Sequence, residues 1–209
     1  MPAATFVVGL TGGIATGKSR VADLLEDLGA QVVCADRIVR EIQSPGSDAL
    51  GEISEAFGED CVLASGELDR VKLGDLVFRD PGARKKLNDI IHPRVTRMMA
   101  ERLDEHRRSG AAVVVLDIPL LLEGRKAGRG TGAVLPFDEI VVVYADREGQ
   151  IDRLRARDGL SREDALARIG AQMGIEEKRE MADVVVDNRD RWEETERQVR
   201  ELYGRWVAR

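Results

Sequence analysis

Gly12-Gly13-Ile14-Ala15-Thr16-Gly17-Lys18-Ser19 is the stretch that decides the fold. It fills every fixed position of the pattern Gly-x-x-x-x-Gly-Lys-[Ser/Thr], a loop that wraps phosphate groups. A β-type run, Thr5-Phe6-Val7-Val8-Gly9-Leu10, precedes it, and a helix-compatible run from Val21 to Leu28 follows. Glycines let the backbone turn so that successive N–H groups converge on phosphate oxygens. The helix that starts there adds the positive end of its dipole. Lys18 then reaches the β- and γ-phosphates, and the Ser19 hydroxyl takes one position around Mg²⁺. Such a match arises by chance in roughly one chain in a hundred of this length, and the strand-before, helix-after context lowers that further. A tight glycine turn with no nucleotide is the bland alternative.

The rest of the chain fits an α/β frame around that loop. Apolar β-type runs recur at Phe6–Leu10, Gln31–Cys34, Ala111–Leu116, Glu139–Tyr144 and Asp183–Val186. Three of them, Val113–Leu116, Ile140–Val143 and Val184–Val186, are continuous rather than alternating. Strands of that kind are buried on both faces, which predicts a parallel five-stranded sheet flanked by helices. A helix is predicted to start at Asp80-Pro81 and to break or kink at Pro93. Trp192 to Val207 reads as a closing amphipathic helix, with Trp192 and Trp206 both in the core.

Two stretches fall outside the sheet. The chain from about 41 to 108 gives helices and no convincing strand, and it is long for a simple crossover. It reads as an inserted helical subdomain. Residues 150–179 carry Arg153, Arg155, Arg157, Arg162, Arg168, Lys178 and Arg179. By periodicity they form a solvated face paired to Glu163, Asp164, Glu176 and Glu177. The sharper alternative is a lid that closes arginines over a transferring phosphoryl group. The core is then residues 1–40, 109–149 and 180–209.

At 209 residues with 43% hydrophobic content, the chain fills one core with small excursions. A net charge of −6 argues against a nucleic-acid binder with a broad basic surface. The N-terminal apolar run is too short for a signal or membrane segment. Cys34 and Cys61 have no metal-ligand spacing and read as small core residues in a reducing compartment. These features predict a soluble cytoplasmic protein with no membrane partner; a monomer or weak homo-oligomer is the expectation, though none of them fixes it.

Individual residues leave choices open. Asp117 ends a buried strand, where an acid meets Mg²⁺ or caps the next loop. Asp36 follows the second strand, where it is either a general base or a cap for the helix Arg37–Ile42. His92, before Pro93, reads as structural. His106 lies on a polar helix end with no assigned role.

Taken in order, the motifs resemble the dephospho-CoA kinase family over nearly the whole chain. They are Leu10–Ser19, Ala35–Arg40, Pro45-Gly46, Leu87–Val95 with its Ile-Ile-His-Pro core, Asp117–Glu123 with Asp-Ile-Pro-Leu-Leu, Arg157–Ser161, Arg168–Met173 and Ala182–Asn188. The phosphate loop is shared by many families, whereas the Asp-Ile-Pro-Leu-Leu and Ile-Ile-His-Pro stretches are far more specific. The resemblance implies ATP-dependent phosphorylation of the ribose 3′-hydroxyl of dephospho-CoA, giving coenzyme A and ADP, with Mg²⁺. It implies a core like the nucleoside monophosphate kinases, a CoA-binding helical subdomain and a lid. It makes Asp36 the general base, with Lys18 and Arg157 the other catalytic groups. ATP would be held by Gly12, Gly13, Ile14, Ala15, Thr16, Gly17, Lys18, Ser19 and Arg20, with Asp187 and Asn188 near the adenine. Thr11, Asp36, His92, Pro119 and Leu120 would face the substrate, and Ser19 and Asp117 the metal.

The chain departs from the family pattern at Cys34, where an acid is common. It also departs at Ala15, often Gly, at Arg20, often Thr, at Gly174, often Pro, and in a longer Gly124–Pro136 segment. A kinase of another small acceptor, such as a nucleoside monophosphate, is the nearest rival. A GTPase switch would carry Asn-Lys-x-Asp, which this sequence lacks.

Overall fold

The structure is a computed structural model, and it describes residues 5–209. Its elements in chain order are β1 (Phe6–Gly12), α1 (Lys18–Asp27), β2 (Gln31–Cys34), α2 (Ala35–Ile42), α3 (Asp48–Phe57), α4 (Arg70–Arg79), α5 (Pro81–Arg108) and β3 (Val113–Asp117). They continue with α6 (Leu121–Lys126), α7 (Thr131–Val134), β4 (Glu139–Tyr144), α8 (Arg147–Asp158), α9 (Arg162–Gly170), α10 (Ile175–Glu180), β5 (Val184–Asp187) and α11 (Trp192–Val207). They fall into two compact units, one of residues through Cys34 with Arg102–Arg209, the other Ala35–Glu101.

The first unit holds the sheet. Its strand order is β2-β3-β1-β4-β5 and every pairing is parallel. Residues of β3 and β4 are buried throughout, as continuous valine runs require of strands covered on both sides. β5 stands at the edge and is buried fully only at Val186. Alternation splits β1 between two cores. Val8 and Leu10 pack with Val21, Ala22 and Leu25 of α1 and with Val199 and Trp206 of α11. Gly9 faces the other way, and a Cβ there would lie 2.8 Å from Leu121 of α6, so its lack of a side chain lets α6 approach the sheet.

Because β1 feeds β2 on one side and pairs with β4 on the other, the chain reverses direction across the sheet next to β1. In open parallel sheets that switch point is where ligands bind, outside the carboxyl ends of the strands. The register aligns Leu10 with Asp117, Cys34 with Asp117, Gly12 with Val143 and Tyr144 with Asp187. Five strand ends thus open on one edge.

The second unit is helical, with a single antiparallel bridge between Val62 and Leu68. Ser47 caps α3 by accepting from the Leu50 N–H, and Asp69 caps α4 by accepting from Lys72. Cys61 is buried and its thiol faces the Phe57 carbonyl. The compact unit begins at Ala35 rather than near residue 41 and closes at Glu101, while α5 runs on to Arg108. α5 passes through Pro93 without a break. A proline pushes the preceding turn's carbonyls off the helix axis. The Ile90 carbonyl in that turn accepts the Arg94 guanidinium at 2.7 Å.

Of the two tryptophans, only Trp206 is fully buried, and its indole N–H donates to Glu139 at 2.8 Å. Trp192 is half-buried and lies under the Arg20 guanidinium, 3.7 Å from the ring centre.

Candidate active site

β1 ends at Gly12, and the chain then turns through Gly13–Gly17 into α1. Thr16 ties the turn together, its hydroxyl donating to the Gly13 carbonyl at 2.9 Å. The loop's carbonyls are fastened on the outside. The Ile14 carbonyl accepts Gln150 at 2.7 Å, and the Thr16 carbonyl accepts Asn188 at 2.8 Å and Arg153 at 3.2 Å. Each peptide is planar, so a carbonyl held on one side turns its N–H to the other. Fixing these oxygens therefore aims the neighbouring amides as a phosphate site needs.

Two positions in the loop take a left-handed backbone. Gly17 has φ +91°, and a Cβ there would lie 2.2 Å from the Asn188 amide. Ala15 takes φ 60° in spite of its side chain, the sole described non-glycine residue with positive φ. That conformation costs an L-residue about 1–2 kcal/mol. Gly17→Ala adds the clash to that cost, so an unfolding midpoint lower by at least about 2–8 °C is expected for a chain of this size. Thermal denaturation checks it; an unchanged midpoint would mean the loop relaxes freely.

Lys18 and Ser19 open α1. The Lys18 ammonium pairs with the carboxylate of Asp117, which is 5% exposed at the end of β3. An acid at the end of a buried apolar strand needs a cation nearby, and Lys18 is that cation. Beyond Asp117 the chain is pinned to β1 by the Ile118 N–H on Leu10 and by the Thr11 hydroxyl on the Pro119 carbonyl at 3.0 Å. Thr11 is fully buried in that role, whereas Leu120 is half exposed.

α8 and α9 pack on the loop itself. Ile151, Leu154 and Ala165 form a small cluster with Ile14 and Ala15. Gln172, just after α9, accepts the Ile14 N–H at 2.9 Å. Arg157 is exposed at the end of α8 and forms a bidentate pair with Asp158, at 2.7 and 2.9 Å. That pairing, with a weaker contribution from Arg168, holds the Asp158 carboxyl below its ordinary range. Arg153, one turn earlier, touches the Ala15 and Thr16 carbonyls and the Asn188 carbonyl.

On the β5 side Asn188 is buried, its amide on Thr16 and its oxygen accepting the Thr195 hydroxyl at 2.9 Å. Asp187 is engaged by Arg189, which keeps its carboxyl below the usual range. Tyr144, at the end of β4, donates to Glu176 at 2.6 Å, and the guanidinium groups of Arg179 and Arg189 lie near its ring. The hydrogen bond to Glu176 raises the pKa of its phenol.

The first unit therefore gathers Thr11, the Gly12–Ser19 loop, Asp117, Pro119 and Asn188 around one strand edge. Asp36 and His92 belong to the second unit, Asp36 as the second residue of α2 and His92 on the exposed side of α5. Because α2 starts at Ala35, Asp36 lies inside the first turn rather than ahead of it in the capping position. Lys178 corrects the charged-face reading of α10. It is fully buried, pairs with Glu123 at 2.8 Å and donates to the Gly12 and Pro119 carbonyls, each at 3.1 Å. Its spacing from Ile175, three residues earlier on the buried face, was the available signal.

The parallel sheet in this order and a phosphate loop backed by Lys18 and Asp117 define a phosphate-loop kinase. A family model described as dephospho-CoA kinase matches residues 6–194. A dephospho-CoA kinase from Geobacter sulfurreducens is 46% identical over 199 residues, covering 95% of this chain and 98% of its own. A crystal structure of a Thermus thermophilus protein superposes with a TM-score of 0.79 at 35% identity, covering 97% of this chain and 98% of the other. A solved structure of dephospho-CoA kinase from Campylobacter jejuni gives 0.64 at 25% identity, covering 97% of each. The chain belongs to the dephospho-CoA kinase family.

Proposed function

We propose that this chain transfers the γ-phosphoryl group of ATP to the ribose 3′-hydroxyl of dephospho-CoA. The family match across residues 6–194 carries the choice of acceptor. The loop with its Lys18–Asp117 pair supports the chemistry.

In this reading the loop amides and Lys18 hold the β- and γ-phosphates. Asp36 takes the proton of the 3′-hydroxyl as that oxygen bonds to the γ-phosphorus. The bond from that phosphorus to the bridging oxygen breaks, and ADP leaves. Arg157 supplies a cation to the charge spread over the transferring oxygens. Thr11, His92, Pro119 and Leu120 line the acceptor side, and Arg20, Asp187 and Asn188 the nucleotide side. One hydroxyl and one carboxylate, Ser19 and Asp117, suit Mg²⁺, which binds through few protein ligands plus phosphate oxygens. No described cluster of three or more His, Cys, Asp or Glu side chains offers a protein cage instead. When bound, Mg²⁺ neutralises phosphate charge. Residues 150–179 act as the lid and 41–108 carry the acceptor subdomain. The cytoplasm is the setting we assign, which two cysteines not joined in a disulfide support. No described helix is long and apolar enough to cross a membrane.

The test is ADP release from ATP and Mg²⁺ with dephospho-CoA, AMP, CMP or adenosine as separate acceptors. Turnover with dephospho-CoA alone, yielding coenzyme A, is expected. Turnover with a nucleotide acceptor and none with dephospho-CoA would overturn the acceptor while keeping the loop.

A further inference from the structure

A lysine with no accessible surface is expensive unless its charge and all three N–H groups find partners. Lys178 finds three. Its ammonium pairs with Glu123 Oε1 at 2.8 Å and donates to the carbonyls of Gly12 and Pro119, each at 3.1 Å. None of these partners lies on α10, the helix that carries Lys178, and Gly12 is 166 residues away in sequence.

The identity of the partners gives the lysine a task. Gly12 is the last residue of β1, from which the phosphate loop departs. Pro119 is two residues beyond Asp117, the acid paired with Lys18. One cation thus spans the exits of the two strands that deliver the loop and the acid. Glu123 extends the connection, because the same Oε1 accepts the Met173 N–H at 3.1 Å. Met173 adjoins Gln172, which accepts the Ile14 N–H. The circuit runs from the loop at Ile14, through Gln172, Met173, Glu123 and Lys178, and back to the loop at Gly12.

We propose that Lys178 is a positioning residue for phosphoryl transfer, its ammonium fixing the spacing of the phosphate loop and the Asp117 strand end through the Gly12 and Pro119 carbonyls. It touches no reacting atom in this assignment, which rests on the kinase reading above. Its effect is exerted through backbone atoms, and a displacement of about 1 Å at a reacting centre costs about 10²-fold in rate.

Structural and positioning roles separate in two variants. Lys178→Met keeps length and apolar packing but leaves Glu123 without its cation. The double variant Lys178→Met with Glu123→Gln removes that stranded charge and keeps an acceptor for Met173. Replacing both partners of a buried pair restores stability where replacing one does not. The expected result is a midpoint of thermal unfolding that falls in the single variant and recovers in the double. The kcat with dephospho-CoA stays about 10²-fold down in both, with KM for dephospho-CoA unmoved. Recovery of kcat along with the midpoint, or wild-type kcat in the single variant, overturns the proposal. If the wild-type chain itself fails to use dephospho-CoA, the acceptor reading fails separately. The affinity of the double variant for ATP, measured by titration, then decides. Weakened binding supports the clamp, and unchanged binding overturns it.

Discussion

Lys18→Ala is expected to lower kcat by on the order of 10³-fold or more. The lysine brings a full positive charge to the mouth of a loop whose other contributions are partial charges on amides. That charge is 12% exposed, so little water screens it. In the structure its partner is Asp117, and with nucleotide bound we assign it to the phosphates. A charge that neutralises oxygens more strongly as they gain negative character lowers the barrier rather than only tightening the ground state. The same substitution leaves Asp117 buried without its cation. Breaking a buried pair costs about 3 kcal/mol or more, or roughly 6–12 °C in midpoint for a chain of this size. Kinetics must therefore be run well below the variant's own unfolding range, with circular dichroism in the same buffer. Folded Lys18→Ala protein with near-normal turnover would remove the phosphate loop from the mechanism.

How much of this was legible in advance depended on the range over which each signal acts. The loop and the strands are local patterns. Gly12–Ser19 carries its backbone requirement in its own glycines, and three uninterrupted valine-rich runs announce strands covered on both faces. The sheet formed where those runs stood, and α11 spans the residues that the closing amphipathic pattern marked. Signals that depend on distant partners were faint, the Ile175–Lys178 spacing being a bare hint. Lys178 sits among charged neighbours and reads as solvent-facing, yet its burial follows from carbonyls and a carboxylate on other elements. Pro93 reads as a break or kink, yet α5 is one helix from Pro81 to Arg108. Among the arginines of α8, spacing alone gave no reason to separate Arg153, which braces the loop, from Arg157, which pairs with its neighbour Asp158. Asn188 shows how one residue carries two readings. The motif puts it beside a base, while its amide is spent on the Thr16 carbonyl and its oxygen on Thr195.

Asp36→Asn separates the remaining catalytic assignment from its structural alternative. Asparagine keeps the shape and still accepts hydrogen bonds, but it cannot take the proton of an attacking hydroxyl at neutral pH. If Asp36 is the base, kcat falls by about 10²–10⁴-fold. KM for dephospho-CoA changes little, because the lost interaction belongs to the transition state. The competing role is visible in the fold: Asp36 is an acid in the first turn of α2, where a negative charge favours the helix dipole. That interaction is worth only about 0.3–1 kcal/mol at an exposed position, and Asp36 is exposed. The variant should unfold within about 1–4 °C of the wild type, far too small a change to account for a rate loss of that size. A lowered midpoint with kcat preserved would assign Asp36 to the helix and leave proton removal to another group or to water.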